Sequence, residues 1–208
     1  MESYSSINNS SKAPRKPCIA FDKLDGTNLR FKYTAKNGFE LSGTRTQLID
    51  ESTPFWGEAI TLFNKTLKSD LENFFRKNKE FRDYREITCF GEYLGDDSFA
   101  GVHGTAEKRI VIFDVLCGHK NKKFVLPQDF IRLFNFIPIP SIIYKGNLND
   151  QFIDWVRKNE TLNEGVVCKG LERSGAYKGN VWMCKIKTQK YFNRLKEKYE
   201  QNWQTYWE

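Results

Sequence analysis

Lys23-Leu24-Asp25-Gly26-Thr27-Asn28 sets a primary amine beside a glycine turn, between one apolar run, Cys18 to Phe21, and a second, Asn28 to Tyr33. A lysine at a strand end followed by such a turn can present its amine into a cleft between two sheets. To act as a nucleophile that amine must be partly deprotonated, which takes desolvation or cationic neighbours that lower its pKa. Such neighbours stand in Trp182-Met183-Cys184-Lys185-Ile186-Lys187, where strand alternation puts both lysines on one face. If that face lines the cleft, it gathers positive charge where a triphosphate would sit. Two carboxylates occupy comparable positions, Glu92 in Phe90-Gly91-Glu92-Tyr93-Leu94-Gly95 and Glu164 in Glu164-Gly165-Val166-Val167-Cys168-Lys169. Opposite a nucleotide, a carboxylate can hold a ribose hydroxyl or, directly or through water, Mg²⁺.

Taken singly, each of these signals has an ordinary reading. A lysine before Asp-Gly is commonly an exposed turn residue, a glutamate before Gly-Val-Val can simply start a strand, and alternate lysines commonly mark a strand's solvated face. Phe113 in its apolar strand reads as a core aromatic, Arg45 as a surface residue, and Asp114 as a strand-end cap or a partner for a neighbouring lysine. His103 and His119 have no metal-ligand spacing and read as loop residues.

The elements that must position these residues are short. Apolar runs rich in β-branched and aromatic residues recur at Cys18 to Phe21, Asn28 to Tyr33, Phe39 to Ser42, Ile87 to Tyr93, Arg109 to Leu116, Gly165 to Lys169 and Val181 to Lys187. Gly, Asn or Asp turns bound them, with Lys36-Asn37-Gly38 the clearest hairpin. From Trp56 to Asn78 the apolar residues recur three or four apart, predicting the longest helix. Shorter helices are predicted from Pro127, and over Asn149 to Asn159 with Phe152, Trp155 and Val156 inward. Tyr191, Leu195, Tyr199, Trp203 and Trp207 outline a closing amphipathic helix. Strands and helices do not alternate regularly, which predicts an α+β fold with mainly antiparallel sheets flanked by helices. Gly95 to Gly104 reads as a loop near the cleft, and residues 1–17, rich in Ser, Asn, Lys and Pro, read as a flexible leader before a single domain over 18–208.

The 208 residues are enough for one domain with a real core. A formal charge of +7, from 33 Lys and Arg against 26 acids spread along the chain, favours a polyanionic partner. The five cysteines are far apart, form no C-x-x-C pair and fall in predicted strands, which argues against zinc and for buried reduced thiols. There is neither a membrane-length apolar run nor a signal-peptide pattern, so a soluble protein of the cytoplasm or another intracellular space is expected.

In their order and spacing these segments resemble the motifs of the ATP-dependent RNA ligase family, within the wider superfamily of ligases and capping enzymes. Lys23 to Asn28 resembles the motif whose lysine forms a covalent AMP adduct. Ser42-Gly43-Thr44-Arg45-Thr46 is similar to the motif whose arginine contacts the polynucleotide. Phe90 to Gly95 resembles the motif whose glutamate meets the ribose, and Ile110 to Val115 the one whose aromatic ring, here Phe113, stacks on adenine. Glu164 to Lys169 is similar to the metal-associated motif, and Lys185 with Lys187 to the paired lysines at the phosphates. The resemblance implies an ATP-grasp-like nucleotidyltransferase domain using ATP and Mg²⁺ or Mn²⁺. Its catalytic lysine would be Lys23, its nucleotide contacts Asp22, Glu92, Phe113, Lys185 and Lys187, its polynucleotide contacts Asn28 and Arg45, and its metal contact Glu164. It brings Asp25, Gly26 and Asp114 into the site without assigning them a contact.

Asn28 ends the nucleophile motif as in the RNA ligases, where DNA ligases and capping enzymes carry arginine, so RNA ends or nicked RNA are the expected substrate. Asp25 departs from the histidine common in that group, and Asp22 from its usual glutamate, which leaves the subgroup open. The chain runs to Glu208, a short way past the paired lysines, so no C-terminal OB domain is expected within it; the alternatives are a minimal ligase, a piece of a longer protein, or an enzyme whose partner or separate domain supplies the grip. A DNA ligase, a GTP-using capping enzyme and an inactive nucleic-acid-binding module remain the alternatives on the same residues.

Overall fold

A computed structural model of the chain describes residues 1–95, 97–98, 101–102 and 107–206. His103, Trp207 and half of the predicted loop from Gly95 to Gly104 therefore lie outside the described residues. The fold is α+β, built on two antiparallel sheets.

The first sheet has the order β10 (Ile142–Asn147), β1 (Pro17–Lys23), β11 (Gly165–Gly170), β12 (Met183–Lys187). The second runs β4 (Leu48–Ile49), β3 (Gly38–Thr44), β2 (Thr27–Thr34), β5 (Glu86–Leu94), β8 (Arg109–Cys117), β9 (Lys123–Phe124). A separate short pair joins β6 (Asp97–Ser98) to β7 (Gly101–Val102). The Lys36-Asn37-Gly38 hairpin forms as its sequence predicts, with Gly38 at φ 75°.

The expected single helix from Trp56 to Asn78 is two: α1 (Gly57–Thr66) and α2 (Lys68–Lys77), broken at Leu67. Just before the break the hydroxyl of Thr66 donates back to the carbonyl of Leu62 at 2.7 Å, and Leu67 leaves the helical region at φ −125°. The apolar stripe continues through the break, with Phe63, Leu67, Leu71 and Phe75 all buried under the six-stranded sheet. Phe63 stacks on Phe31 of β2 with ring centroids 3.7 Å apart. α3 (Pro127–Leu133) starts with its proline in the first turn and closes the same core.

Under the four-stranded sheet, α4 (Asp150–Lys158) buries Phe152, Ile153 and Val156, and Asn149 caps it by accepting from the Phe152 amide at 2.8 Å. Trp155 is not inward as expected; it stands 49% exposed, and Ile153 takes its place. The closing helix α5 (Gln189–Tyr199) ends at Glu200, whose φ of 43° is incompatible with a helix, and a 3₁₀ segment follows over Glu200–Tyr206. All five cysteines are buried and unpaired.

The segment expected to be a flexible leader is packed instead. Tyr4 is 7% exposed, a 3₁₀ turn forms at Ser10–Lys12, and the amide of Lys185 donates to the carbonyl of Asn8 at 2.9 Å. Its polar composition hid one apolar anchor, Tyr4, and a backbone that pairs with the free edge of β12.

Candidate active site

The turn Leu24–Gly26 carries the chain from the end of β1 in one sheet to the start of β2 in the other, so Lys23 stands where the two sheets part. It could hold no larger residue at Gly26, because a Cβ there would lie 2.3 Å from the carbonyl oxygen of Tyr93. Across the first sheet Lys23 pairs with Gly165, and Gly165 with Lys187, which sets the two lysines on either side of the residue preceding β11. That residue is Glu164. Across the second sheet Asn28 pairs with Glu92. Between the sheets lies a cleft of about 1310 Å³.

Glu164 is 4% exposed and bridges both lysines: Lys23 Nζ lies 2.6 Å from Oε2 and Lys187 Nζ 3.4 Å from Oε1. A buried and a half-buried lysine on one buried carboxylate contribute little to stability, because desolvation offsets their attraction. Such a cluster in a cleft marks a functional site instead. Burial alone would lower the pKa of Lys23, but the carboxylates of Glu164, Glu92 and Asp25 outweigh it, and the net shift is upward. The expectation that lysine neighbours lower it is thus corrected, since Glu164 stands between Lys23 and Lys187. The lowered pKa belongs to Lys187, through burial and then its repulsion from Lys23, against the opposing pull of Glu164. Burial pushes Glu92 up to about 7, partly opposed by Lys23, while Glu92 Oε1 accepts from the Gly26 amide at 3.2 Å.

The remaining expected residues divide between the cleft wall and the layer beneath it. Asp22, Asp25, Asn28, Arg45, Phe113 and Lys185 line the cleft. Asp22 and Asn28 each keep a buried side-chain oxygen, Oδ1, without a hydrogen-bond partner, and burial followed by Glu164 raises the Asp22 pKa. Asp25 is buried, with Arg194 Nη2 at 3.9 Å. Phe113 owes its aim to a bulge: Phe90 pairs with Asp114 and Gly91 with Ile112, so Phe113 is skipped and turned toward the cleft while both its neighbours stay buried. Asp114 does not reach the cleft. It lies beneath, 1% exposed, with Lys169 Nζ at 2.7 Å and the Tyr4 hydroxyl donating to it at 2.6 Å. His119 lies outside the cleft on the surface, its Nδ1 3.1 Å from Glu86.

Sequence reasoning missed Tyr4, Lys169, Phe55 and Trp56, all of which line the cleft. Lys169 was legible, since alternation along β11 puts it on the face of Val167, opposite the buried Val166 and Cys168. Phe55 is 94% exposed with φ 66°, a backbone state that a bulky residue seldom adopts. Its only signal was an aromatic pair directly after Pro54.

Glu164, Glu92 and Asp22 are oxygen donors suited to a hard divalent cation, and all three line the same cleft. Among the described residues, however, no three His, Cys, Asp or Glu side chains are grouped to hold a metal by themselves. The set fits an ion held by one or two carboxylates plus the phosphates of a substrate, the usual arrangement for Mg²⁺. Among the described residues no helix is long and apolar enough to cross a membrane.

The RNA ligase family model matches residues 16–187 of the chain. No curated protein matches it in sequence. Among solved structures, the fold is similar to that of an archaeal ATP-dependent RNA ligase, with a TM-score of 0.65 and 18% identity over 93% of this chain and 50% of that one. It is also similar to the Naegleria gruberi RNA ligase with PPi, with a TM-score of 0.69 and 14% identity over 94% of this chain and 58% of that one. A lysine-to-alanine mutant of that enzyme with ATP and Mn gives a TM-score of 0.66 and 13% identity over 91% and 57% of the two chains. The chain thus spans between half and three fifths of the length of these structures.

Proposed function

The chain belongs to the RNA ligase family, and from that premise we propose that it is an ATP-dependent ligase that seals RNA ends through an AMP adduct on Lys23. The observation that supports this most is the Lys23–Glu164–Lys187 cluster, centred on a buried carboxylate, in a cleft that Phe113 also lines.

In the first step the Lys23 amine attacks the α-phosphorus of ATP. A nitrogen–phosphorus bond forms, the bond to the bridging oxygen breaks, pyrophosphate leaves, and the amine's proton passes to solvent. Lys185 and Lys187 stabilise charge on the phosphates, Glu92 holds the ribose, and Phe113 receives the base. The AMP then passes to a 5′-phosphate, and a 3′-hydroxyl displaces it to close the strand. Asn28, with its unpartnered oxygen, and the exposed Arg45 serve these polynucleotide steps, and the ring of Phe55 offers a base a surface to stack on. A divalent cation at Glu164 would neutralise phosphate charge. Of the three carboxylates that raise the Lys23 pKa, Glu164 comes first, so a cation that engaged Glu164 would weaken its hold on the protonated amine.

The test is incubation with ATP or GTP radiolabelled in the α-phosphate, followed by denaturing electrophoresis, for wild type and Lys23→Ala. Label from ATP that stays on the wild type and is lost in the variant is the expected result, followed by sealing of nicked RNA in preference to nicked DNA. Label from GTP alone would move the reading to a capping enzyme. No label from either, in protein free of prebound AMP, would overturn it.

A further inference from the structure

The N-terminal segment touches three of the residues assigned above to nucleotide or RNA. Ser3 Oγ donates to the carbonyl of Arg45 at 2.8 Å and itself accepts from Arg30 at 2.7 Å. Asn8 accepts from the amide of Lys185, so the segment pairs with β12 and lies across the side of the cleft between the two sheets. The most buried contact is that of Tyr4. Its ring packs edge-on to Phe113 with centroids 5.0 Å apart and an angle of 87°, and it also meets Phe90 at 5.0 Å. Its hydroxyl donates to Asp114 Oδ2 at 2.6 Å; the same oxygen lies 2.7 Å from Lys169 Nζ, and Lys169 donates to the carbonyl of Phe113 at 2.8 Å.

This chain of buried polar groups meets the cleft at Phe113, with Tyr4 and Lys169 lining the wall beside it. Asp114 and Lys169 are 1% and 4% exposed, where an uncompensated charge would be costly, so the network holds a fixed geometry. Phe113 sits on a bulge without a cross-strand partner, and its backbone is therefore held by Lys169 rather than by the ladder. Without the Tyr4 hydroxyl, Asp114 loses one of the donors that fix it, and the Asp114–Lys169 pair can shift. Without the Tyr4 ring, Phe113 loses the aromatic edge packed against it.

We propose that residues Ser3 to Asn9 form a structural wall of the nucleotide site and that Tyr4 is a positioning residue, which sets the Phe113 ring for the base through Asp114 and Lys169. The inference rests on the reading of the cleft as an ATP site. It assigns the segment a part in substrate affinity that its composition conceals.

The experiment compares wild type, Tyr4→Phe and Tyr4→Ala in the full chain. Self-labelling is followed against ATP concentration, calorimetry gives the Kd for ATP, and thermal melting reports the fold. Tyr4→Phe keeps the ring and removes only the hydrogen bond to a charged acceptor, and should raise both KM and Kd for ATP by about three- to tenfold with the maximal labelling rate within about twofold of wild type. Tyr4→Ala should raise them further. Unchanged KM and Kd in both variants would overturn the proposal. So would a fall in maximal rate that tracks a lower Tm with KM unchanged, the mark of a merely structural tyrosine. A wild type that binds ATP but takes no label would sink the ligase reading alone, and the Kd comparison would still decide the role of Tyr4.

Discussion

Glu92 shows how a single residue reports on the cleft. Its carboxyl is pushed up to about 7 from an ordinary 4.5, first by burial and with Lys23 opposing the shift. A folded-state pKa above the unfolded one means that, between about pH 4.5 and about pH 7, the folded protein keeps a proton the unfolded chain has released. Stability from this group is therefore present below that window and falls as pH rises through it. We expect Tm to decline from about pH 5 to about pH 8 in wild type, and Glu92→Gln, which cannot ionise, to flatten part of that slope. Asp22, raised in the same direction, retains the remainder in the variant. An identical slope in wild type and Glu92→Gln would show that the Glu92 carboxyl does not titrate in this range. The residue scale is also where sequence reading reached furthest and then stopped. Lysine, glutamate and arginine types at ordered positions announced the site, because each sits in a short local frame. Asp114 was legible as a partner for a lysine, which is Lys169 on the other sheet, but not as the acceptor of Tyr4, which stands 110 positions upstream.

Among the elements, the start of β11 carries the strictest requirement. Gly165 has φ 147°, and a Cβ on it would lie 2.0 Å from the carbonyl oxygen of Ile186, a backbone atom that cannot move aside. That close approach is what lets Glu164 lie between Lys23 and Lys187. Gly165→Ala should cost on the order of 1–3 kcal/mol in backbone strain, read as a shifted urea midpoint. It should also cut self-labelling by a larger factor than the stability loss explains; labelling at the wild-type rate would show that the cluster tolerates a displaced Glu164. All seven apolar runs became strands, because each has a face in one of the two cores. β10 was not anticipated: it is an edge strand whose residues are half-buried or exposed, and so gives no period-2 pattern to read. The break at Leu67 was hidden for the opposite reason, since the buried stripe continues across it.

At the scale of the whole molecule, the excess of +7 and the cluster at Lys23 answer to different physics. Lys187 is buried and the Lys23 side chain is 24% exposed, so salt in solution screens their interaction with phosphates less than it screens an open basic surface. The polynucleotide steps depend on a surface that releases counterions as RNA binds, and each phosphate neutralised steepens the salt dependence of affinity. The two halves of the proposed reaction should therefore separate on a salt titration. Between about 50 and about 200 mM KCl, self-labelling at saturating ATP should change by less than about twofold, while affinity for nicked RNA should fall by at least about tenfold. Binding of RNA by fluorescence anisotropy, run beside labelling on the same protein, makes the comparison. Parallel losses in both would place the salt-sensitive contacts in the nucleotide cleft itself. A flat RNA-binding curve would mean that the basic surface serves solubility, and that recognition of the strand falls to base stacking at residues such as Phe55.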